Sequence, residues 1–596
     1  MNIQLIQNRK STYSIIFSST ADAPIRLAAE ELSGYLEKIS GVKLPFFTDD
    51  RPESPYEILL GQTNRGFPAE IDCEGLGING FTIRTEGKKI YLAGGDAYGV
   101  LYAVYEFLEK YLGCRFYTSC FEKIPQNESI SLPSIDETQK PGFPYRSLYW
   151  YEYQKSDELC AKRKVNYRKS GITMDKKYGM RLHYCEDCEC HTIYTLAEMT
   201  GSHIDIQPCL SDEKVYQTIL KNLRKFLQAD PEAKIVSVSQ NDTHRWSKGC
   251  ECAKCKRILE ETGSYAGSWI LLIKRLAEDL KADYPDLLFH TFAYRFTRQP
   301  PQNITLPENL IVELCSIESC FRHPLEECGT VGDDHVPAEN FPLLLEKWSK
   351  LTPHLAIWDY NTNFKNYCMF HPNFEVLRKN IRFFAEHNAK YLFCQGNAAS
   401  FSGEFGELRS YLLTKLMWDP YMSDKEYRRI TEEFIDDYYG KGAPFIKEYI
   451  RLGLEYTKDL HVTTYELQPR EFPNRKEGDR LLPHPFILEG EQLFAAAMDA
   501  ESDPLLQEHI ERASLQIGYL QSLYGFERLE MMYKNRHPDL KQAMETYRAG
   551  NRALAEKMLR HGVNYATESV PVSDIENLHF DQPINRWSKP DHIIPV

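Results

Sequence analysis

The stretch KIVSVSQND, residues 234–242, has the composition of a buried β-strand that ends in two polar residues. Ile235, Val236 and Val238 are β-branched residues, which favour strands. A short apolar segment of this kind is typical of a parallel sheet that is covered by helices on its faces. Asn241 and Asp242 follow where the strand is expected to end. The stretch therefore predicts a strand of an α/β fold with a carboxylate at its carboxyl end.

Similar strands recur on both sides of this stretch, with helical segments between most of them. The eight predicted strands are residues 148–153, 180–184, 203–210, 234–242, 287–294, 310–318, 355–361 and 390–396. Strands that alternate with helices over some 275 residues are typical of a (β/α)8 barrel. We therefore predict a TIM-like barrel over residues 146–420.

Two further domains are predicted around the barrel, so that the fold class is α/β with three units. Residues 1–140 combine a helical stripe near 25–39 with a hairpin around Glu86 and Gly87, as in a small α/β domain. Residues 421–596 are helical up to about 565 and end in an extended tail. The C-terminal helices are open to two interpretations: they pack beside the barrel, or they form a homo-oligomer.

Charge and hydropathy exclude several classes of partner. The net charge of −14 and the lack of a basic stripe argue against a nucleic acid. The sequence contains no run of 18 apolar residues, so it predicts no membrane-spanning helix. The N-terminus lacks the apolar core of a signal peptide, so the sequence as written predicts a cytoplasmic protein; a periplasmic or secreted one is expected if a signal was removed.

Polar and aromatic residues cluster at the predicted strand ends, which is where barrel enzymes place their chemistry. The candidate catalytic carboxylates are Asp242, Glu318, Asp359 and Glu404. The candidate substrate-binding residues are Asn241, His290, Tyr294, Arg295, Trp358, Tyr360, Gln395 and Trp246. Aromatic rings such as those of Trp358 and Tyr360 would form a stacking floor for a sugar ring. Carboxylates also cap helices and pair with arginine, so the set carries more weight than any single member.

Asp242 is the strongest of these candidates. Partial burial at the end of a buried strand would raise the pKa of its carboxyl group and suit it to general-acid work. Asn241 beside it would orient a hydroxyl or acetamido group of a substrate. The alternative is an Asn-Asp turn without chemistry, which is common at strand ends.

The cysteines of C-E-C-A-K-C, residues 250–255, predict a structural zinc site. Cys250, Cys252 and Cys255 offer three thiolates within six residues, and zinc prefers four sulfur or nitrogen ligands. Cys188, from the cluster that also holds Cys185, Cys190 and His191, is the predicted fourth ligand. Two alternatives stay open: each cluster binds its own ion, or the cysteines are reduced thiols in packed loops. Sixteen cysteines in 596 residues are too few for a disulfide scaffold.

Residues 147–450 resemble the domain of unknown function 4838 family. The resemblance rests on QPCLSDEKV, KIVSVSQND, CECAKCK, HTFAYRFTRQPPQNI, LCSIESCFRHPL, IWDYNTNF and QGNAASFSGEFGELRSYLLTKLMWDP. The first 140 residues are similar to the small domain that precedes the barrel in family 20 hexosaminidases and family 67 α-glucuronidases. LAAEELSGYLEKISG and YLAGGDAYGVLYAVYEFLEKYLGCRFY carry that similarity.

The resemblance implies an exo-acting bacterial glycoside hydrolase that removes a terminal N-acetylhexosamine or uronic acid from an oligosaccharide or glycoconjugate. Family 20 enzymes end their fourth strand in an Asp-Glu pair, of which the Glu is the acid. Asn241 and Asp242 stand at the similar place here, so Asp242 would correspond to the acid. Glu318, followed by Asp359 or Glu404, is the predicted second carboxylate. The missing first carboxylate departs from the family 20 pattern and weakens the case for substrate-assisted catalysis.

Two alternative functions remain at this point. A barrel that has lost its catalytic pair would bind carbohydrate without cleaving it. A metal-dependent carbohydrate deacetylase would need an open metal position with histidine or carboxylate ligands and a water. Ligation by cysteine alone argues against the deacetylase, because an all-sulfur zinc site is closed and structural.

Overall fold

The computed structural model shows a mixed N-terminal sheet, a central parallel sheet with helices, and a group of C-terminal helices. The residues that the structure describes are 3–168, 174–179, 182–186, 188–200, 207–242, 249–328, 340–464, 482 and 484–574. Among these residues, no helix is both long and apolar enough to cross a bilayer. All sixteen cysteines lie in the described residues, and all are free thiols.

The N-terminal region is built on a six-stranded sheet in the order β10-β5-β6-β4-β2-β3. Its elements are β1 (Ile3–Ile6), β2 (Ser14–Phe17), α1 (Ala23–Ser40), β3 (Phe46–Thr48), β4 (Glu57–Leu60), α2 (Cys73–Leu76), β5 (Phe81–Glu86), β6 (Lys89–Gly94), α3 (Ala97–Glu106), a π-helical turn (Phe107–Tyr111), β7 (Arg115–Phe116), β8 (Glu122–Lys123), β9 (Ile130–Leu132) and β10 (Asp136–Gln139). The apolar stripe of α1 is buried, and the predicted hairpin is confirmed as the antiparallel pair β5–β6. Gly87, at a φ of 59°, takes the left-handed conformation that its turn requires.

The central region contains six parallel strands in the order β11-β16-β15-β14-β13-β12. Its elements are β11 (Tyr145–Tyr149), α4 (Tyr151–Lys155), α5 (Asp157–Lys162), α6 (Ile193–Leu196), α7 (Glu213–Ala229), β12 (Ile235–Ser237), α8 (Ala253–Thr262), α9 (Ala266–Leu280), β13 (Leu288–Ala293), a 3-10 helix (Arg295–Thr297), β14 (Leu310–Cys315), α10 (Leu325–Cys328), α11 (Phe341–Leu351), β15 (Leu355–Tyr360), α12 (Leu377–Glu386), β16 (Ala389–Gln395) and α13 (Gly406–Trp418). The six strands overlap six of the eight predicted ones. The prediction of 148–153 was wrong in its second half, because β11 ends at Tyr149 and α4 begins at Tyr151.

The two ends of the parallel sheet are extended by short backbone contacts rather than by full strands. Tyr184 forms a parallel bridge with Ile235, and the N–H of Asn166 donates to the carbonyl of Arg146 at 3.2 Å. The segment predicted as the second strand therefore lies beside the one predicted as the fourth. Of the predicted third strand, 203–210, the described residues 207–210 form no strand. A parallel sheet of barrel type is confirmed, and a closed eight-stranded barrel stays a prediction.

The C-terminal region is helical, as predicted, and returns to the central sheet at its end. Its elements are α14 (Asp424–Tyr439), a 3-10 helix (Gly440–Gly442), α15 (Ala443–Thr457), α16 (His484–Ala500), α17 (Pro504–Lys534), α18 (Leu540–Arg560) and a 3-10 helix (Val572–Asp574).

A bridge between Tyr565 and Pro571 closes a turn that we call the C-terminal turn, residues 564–572. The carbonyl of Ala566 accepts from the N–H of Tyr367 at 2.9 Å, and the N–H of Glu568 donates to the carbonyl of Phe364 at 2.8 Å. Part of the predicted extended tail is thus folded against the loop that follows β15.

Candidate active site

The carboxyl ends of the parallel strands surround a cavity of about 380 Å³. This is the place at which barrel and open α/β folds bind their ligands, and the volume lies in the ordinary range for a small-molecule site. The described residues that line the cavity are Tyr149, Glu189, Cys190, His191, Asp242, Phe292, Tyr294, Cys315, Ile317, Trp358, Tyr360, Phe364, Phe393, Gln395 and Glu568. Five of the six strands contribute residues from their carboxyl ends.

One wall of the cavity is aromatic. The rings of Trp358 and Tyr360 are nearly parallel, at 18° and 6.1 Å between centroids, and Phe393 meets Trp358 edge-on at 4.6 Å. Trp358 and Tyr360 share a face of β15 because side chains alternate along a strand. The indole N–H of Trp358 donates to Gln395 at 2.8 Å, which fixes the ring plane. A flat and rigid surface with a polar edge suits the face of a sugar ring.

Asp242 also lines this cavity, where it accepts a hydrogen bond. Asp242 is exposed, so the expectation that it is partly buried was wrong. The hydroxyl of Tyr294 donates to its Oδ1 at 3.4 Å, and Nε of Arg295 donates to the Tyr294 hydroxyl at 2.8 Å. The Tyr294 hydroxyl thus links Asp242 to the guanidinium of Arg295 at the surface of the cavity.

Glu568 lies in the same cavity and comes from the C-terminal turn. Burial raises the pKa of its carboxyl group, and the charge of Asp242 raises it further. A carboxyl group with a raised pKa beside a second carboxyl group is a usual feature of a site for acid–base catalysis. Glu189 is the third carboxylate on the cavity surface.

Several residues predicted from the sequence meet at this cavity. Asp242, Tyr294, Trp358, Tyr360 and Gln395 line it. Arg295 stands behind Tyr294, as described above. Trp246 falls outside the described residues.

Asn241 and His290 lie deeper than predicted. The backbone of Asn241 exchanges hydrogen bonds with the side-chain amide of Gln207 at 3.2 Å. His290 is fully buried inside the sheet, where its ring nitrogens contact Ser237 at 2.9 Å and Glu313 at 3.1 Å. Neither residue is part of the described lining of the cavity.

The three other predicted catalytic carboxylates are absent from the described lining of the cavity. Glu318 forms an ion pair with Arg298 at 2.9 Å. Asp359 points away from Trp358 and Tyr360 and accepts from Ser316 and Asn361, each at 3.0 Å; burial raises the pKa of its carboxyl group to about 6.

Glu404 forms a bidentate pair with Arg409, and both side chains are almost completely buried. Its Oε1 also accepts from the N–H of His371 at 2.9 Å. Every oxygen of this carboxylate is engaged in holding the start of α13 against the loop after β15. The geometry of Glu404 is that of a structural ion pair.

The cavity also contains residues that the sequence did not single out as catalytic. Glu189, Cys190 and His191 were noted only as part of a cysteine cluster, and Glu568 falls in the segment predicted as a tail. Nδ1 of His191 lies 2.7 Å from the carbonyl of Gln240, so that the ring donates there from Nδ1. The cluster Y-C-E-D-C-E-C-H was a signal for the first three, whereas no local pattern marks Glu568.

Four cysteine sulfurs meet near this site, although the fourth differs from the prediction. Sγ of Cys209 lies 3.6 Å from that of Cys252 and 3.8 Å from that of Cys255, and Cys250 completes the group. Cys188 is instead fully buried in the apolar core and is no part of the group. The prediction of Cys188 was wrong, because Cys209, in the segment before α7, supplies the fourth sulfur of the group.

The four sulfurs fit the geometry of a tetrahedral zinc site. Zinc–sulfur bonds of about 2.3 Å place tetrahedral sulfurs about 3.8 Å apart, close to the distances observed. The N–H of Cys252 donates to Sγ of Cys250 at 3.5 Å. Four sulfurs leave no open position, so such an ion would be structural.

Comparison with known proteins gives two family matches. Residues 116–451 match the domain of unknown function family DUF4838, and residues 2–107 match the glycosyl hydrolase family 67 N-terminus. The resemblance predicted from the sequence is confirmed in both regions. No curated protein matches the chain.

A solved structure of a glycoside hydrolase shares the fold. BtGH115A, a family GH115 4-O-methyl-α-glucuronidase with specificity for decorated arabinogalactans, is 11% identical with a TM-score of 0.58; the match covers 98% of this chain and 80% of that chain. A GH138 enzyme that targets pectin rhamnogalacturonan II is 11% identical with a TM-score of 0.47, over 96% and 97% of the two chains. At this identity the first similarity shows a common fold. Because its family match spans more than half of the 596 residues, the chain belongs to the DUF4838 family.

Proposed function

We propose that the protein is an exo-acting glycoside hydrolase that removes a terminal sugar of the N-acetylhexosamine or uronic acid type, with Asp242 and Glu568 as its pair of carboxyl groups. The observation that carries this proposal is their presence in one cavity, at the strand ends, together with an aromatic wall. Glycosidases of most families place two carboxyl groups on either side of the scissile bond. The family 67-like N-terminal domain and the shared fold of the glucuronidase support the same class.

The surroundings of the two carboxyl groups suggest their roles. Glu568 would protonate the leaving oxygen as general acid, because its surroundings favour the protonated form. Asp242, which accepts a hydrogen bond from Tyr294, would act as the base or nucleophile. This division reverses the role that the sequence resemblance gave to Asp242. The anomer released first, observed by NMR, would distinguish inversion from retention.

The position of the C-terminal turn supports action at a chain end. Glu568 is carried by this turn, which is hydrogen-bonded to the loop after β15 and so lies across one side of the cavity. A site of about 380 Å³ with such a wall suits one terminal sugar better than the middle of a long glycan.

Removal of the aromatic wall is expected to weaken substrate binding more than the chemical step. In Trp358→Ala we expect KM to rise about tenfold, equal to about 1.4 kcal/mol, because the sugar loses its apolar stacking surface. kcat should change by a smaller factor. Steady-state kinetics on the cleaved glycoside would measure both values. Tyr421→Ala, at a ring that is 57% exposed and outside this cavity, is the matched control and should retain the wild-type KM.

The pH dependence of the wild type should report the protonation of Glu568. An acid must carry its proton, so kcat/KM is expected to fall as the pH rises through the pKa of Glu568. Burial and Asp242 place that pKa above the ordinary value for glutamate of about 4.3. In Glu568→Gln the alkaline limb of the profile should disappear. An alkaline limb that persists unchanged in this variant would assign the acid to another group.

We also propose that the cluster of Cys209, Cys250, Cys252 and Cys255 holds a structural zinc ion. Its ligands come from the loop before α7 and from the segment that leads into α8, so the ion would tie these two parts of the chain together. In Cys252→Ser we expect one zinc per chain to be lost and the Tm to fall, by about 2–4 °C for each kcal/mol of stability that the ion supplies. Elemental analysis and calorimetry would measure the two effects. Cys120→Ser, at an exposed cysteine outside the cluster, should change neither.

The proposed function is tested by a panel of aryl glycosides. The panel would contain α and β N-acetylhexosaminides, hexuronides, hexosides and a sialoside, assayed with the wild type and with Asp242→Asn. If the wild type releases the aryl group from glycosides of one class of sugar and the variant does not, the result would support an exo-glycosidase and identify the class of its substrate. Binding of a sugar by calorimetry without release from any substrate would favour a carbohydrate-binding protein.

A further inference from the structure

A second group of metal-ligating side chains lies away from the cysteine cluster described above. Cys320, His323, Cys328 and His461 each offer one ligand atom, and these four atoms all lie within 4.8 Å of one another. Cys320 and His323 belong to the loop after β14, and Cys328 ends α10. His461 follows α15 in the C-terminal region. Four ligands from two distant parts of the chain thus converge on one point.

The measured distances agree with a tetrahedral ion between two sulfurs and two nitrogens. Sγ of Cys320 lies 3.4 Å from Nδ1 of His323, and Sγ of Cys328 lies 3.2 Å from Nδ1 of His461. Bonds of about 2.3 Å to sulfur and about 2.0 Å to nitrogen place tetrahedral S and N ligands about 3.5 Å apart. Thiol and imidazole ligands in this number are typical of zinc rather than of calcium or magnesium, which prefer oxygen.

His323, one of the four potential ligands, is held in the tautomer that a metal requires. Nε2 of His323 lies 2.8 Å from the carbonyl oxygen of Lys458. A carbonyl can only accept, so Nε2 carries the hydrogen and the lone pair is left on Nδ1, the atom that faces Cys320. Metal-bound histidines usually donate their second N–H to a carbonyl or carboxylate in this way.

The group is open on one side and buried on the other. Cys320 is completely buried, His323 and Cys328 are half-buried, and His461 is exposed. An ion could therefore enter from solvent past His461. Cys320 is in the opposite position, at the inner end of the group.

The chain around the group is arranged so that an ion would join two regions. The N–H of Phe321 donates to the carbonyl of Val462 at 2.7 Å, and the N–H of Phe364 donates to the carbonyl of Thr464 at 2.9 Å. Residues 461–464 thus lie between the loops that follow β14 and β15. The first of these loops contains Ile317 and the second contains Phe364, both of which line the cavity. An ion here would fasten the end of α15 to the rim of the cavity.

We propose that Cys320, His323, Cys328 and His461 form a Cys2His2 zinc site that fastens the segment after α15 to the loop after β14. All four positions are filled by protein ligands, so the site is structural. It is separate from the four-cysteine cluster and does not depend on the proposed hydrolase activity.

The experiment counts zinc in the full-length protein, purified without a histidine tag and with a thiol-protecting reductant, by mass spectrometry of zinc and sulfur. We expect Cys328→Ser and His461→Ala each to contain one zinc per chain fewer than the wild type. Cys252→Ser should keep this ion, so its combination with His461→Ala should contain none. His537→Ala, at an exposed histidine outside the group, should contain as much zinc as the wild type.

A spectroscopic measurement tests the four ligands without replacing any of them, so it does not depend on the folding of Cys328→Ser or His461→Ala. X-ray absorption of zinc in Cys252→Ser should show two sulfurs at about 2.3 Å and two nitrogens at about 2.0 Å. Equal zinc contents in the wild type, Cys328→Ser and His461→Ala would overturn the proposal. So would zinc in Cys252→Ser that is bound to oxygen and nitrogen alone.

Discussion

Replacement of Asp242 by asparagine is expected to lower kcat about 10²–10⁴-fold on the glycoside that the wild type cleaves, while KM changes little. The asparagine keeps the shape of the side chain and its contact with the Tyr294 hydroxyl. It loses the charge that would attack the sugar or activate water in the transition state. An interaction made only in the transition state appears in kcat and not in KM.

The matched control for this variant is Asp499→Asn, at an exposed aspartate on α16 outside the cavity. Its kcat should equal that of the wild type, and both variants should have the wild-type Tm. A folded Asp242→Asn protein with the kcat of the wild type would remove Asp242 from the mechanism. The cavity would then be better explained as a binding site.

The second large effect is expected on stability, at the buried pair of Glu404 and Arg409. Glu404→Gln leaves the guanidinium of Arg409 buried without its counter-charge, and we expect it to lower the free energy of unfolding by about 3–5 kcal/mol. Arg409→Met should have an effect of similar size. Because the two side chains form one unit, the double variant should lose less than the sum of the single losses. Urea denaturation of the three variants would measure these values.

The exposed pair of Glu448 and Arg451 is the control for this prediction. Their contact of 2.7 Å is geometrically as good, but both side chains are about half exposed, and Glu448→Gln should cost at most about 1 kcal/mol. A Glu404→Gln protein with wild-type stability and no activity would contradict the structural role. It would return Glu404 to the catalytic group that the sequence predicted.

Part of the site was predictable from strand periodicity and from the tendency of barrel enzymes to place functional residues at the carboxyl ends of their strands. Six strands of the central sheet agree with the predicted segments, so Asp242, Trp358 and Tyr360 were correctly expected at one edge of the sheet. The same periodicity could have excluded Asp359, because a residue between Trp358 and Tyr360 must point to the other face. For Glu318 and Glu404 no local pattern reveals the buried arginines that pair with them.

The remaining errors come from contacts between distant parts of the chain. Glu568 reaches the cavity only because the C-terminal turn is hydrogen-bonded to the loop after β15. Cys209, from the loop before α7, joins the other three cysteines, whereas Cys188 is buried in the apolar core. Spacing predicted three of these four ligands, and the fourth comes from a loop some forty residues earlier in the chain. The same holds for His461, which lies far in sequence from Cys320 and Cys328.

The proposed function assigns the role of general acid to Glu568 and that of base or nucleophile to Asp242. The most direct test compares two aryl glycosides of the same sugar, one with a good leaving group that needs no proton and one with a poor leaving group that does. For Glu568→Gln we predict near wild-type kcat/KM for bond cleavage with the good leaving group and a loss of about 10²-fold or more with the poor one. Asp242→Asn should lose activity on both. Equal losses of Glu568→Gln on the two substrates, or the selective loss in Glu189→Gln instead, would contradict the account.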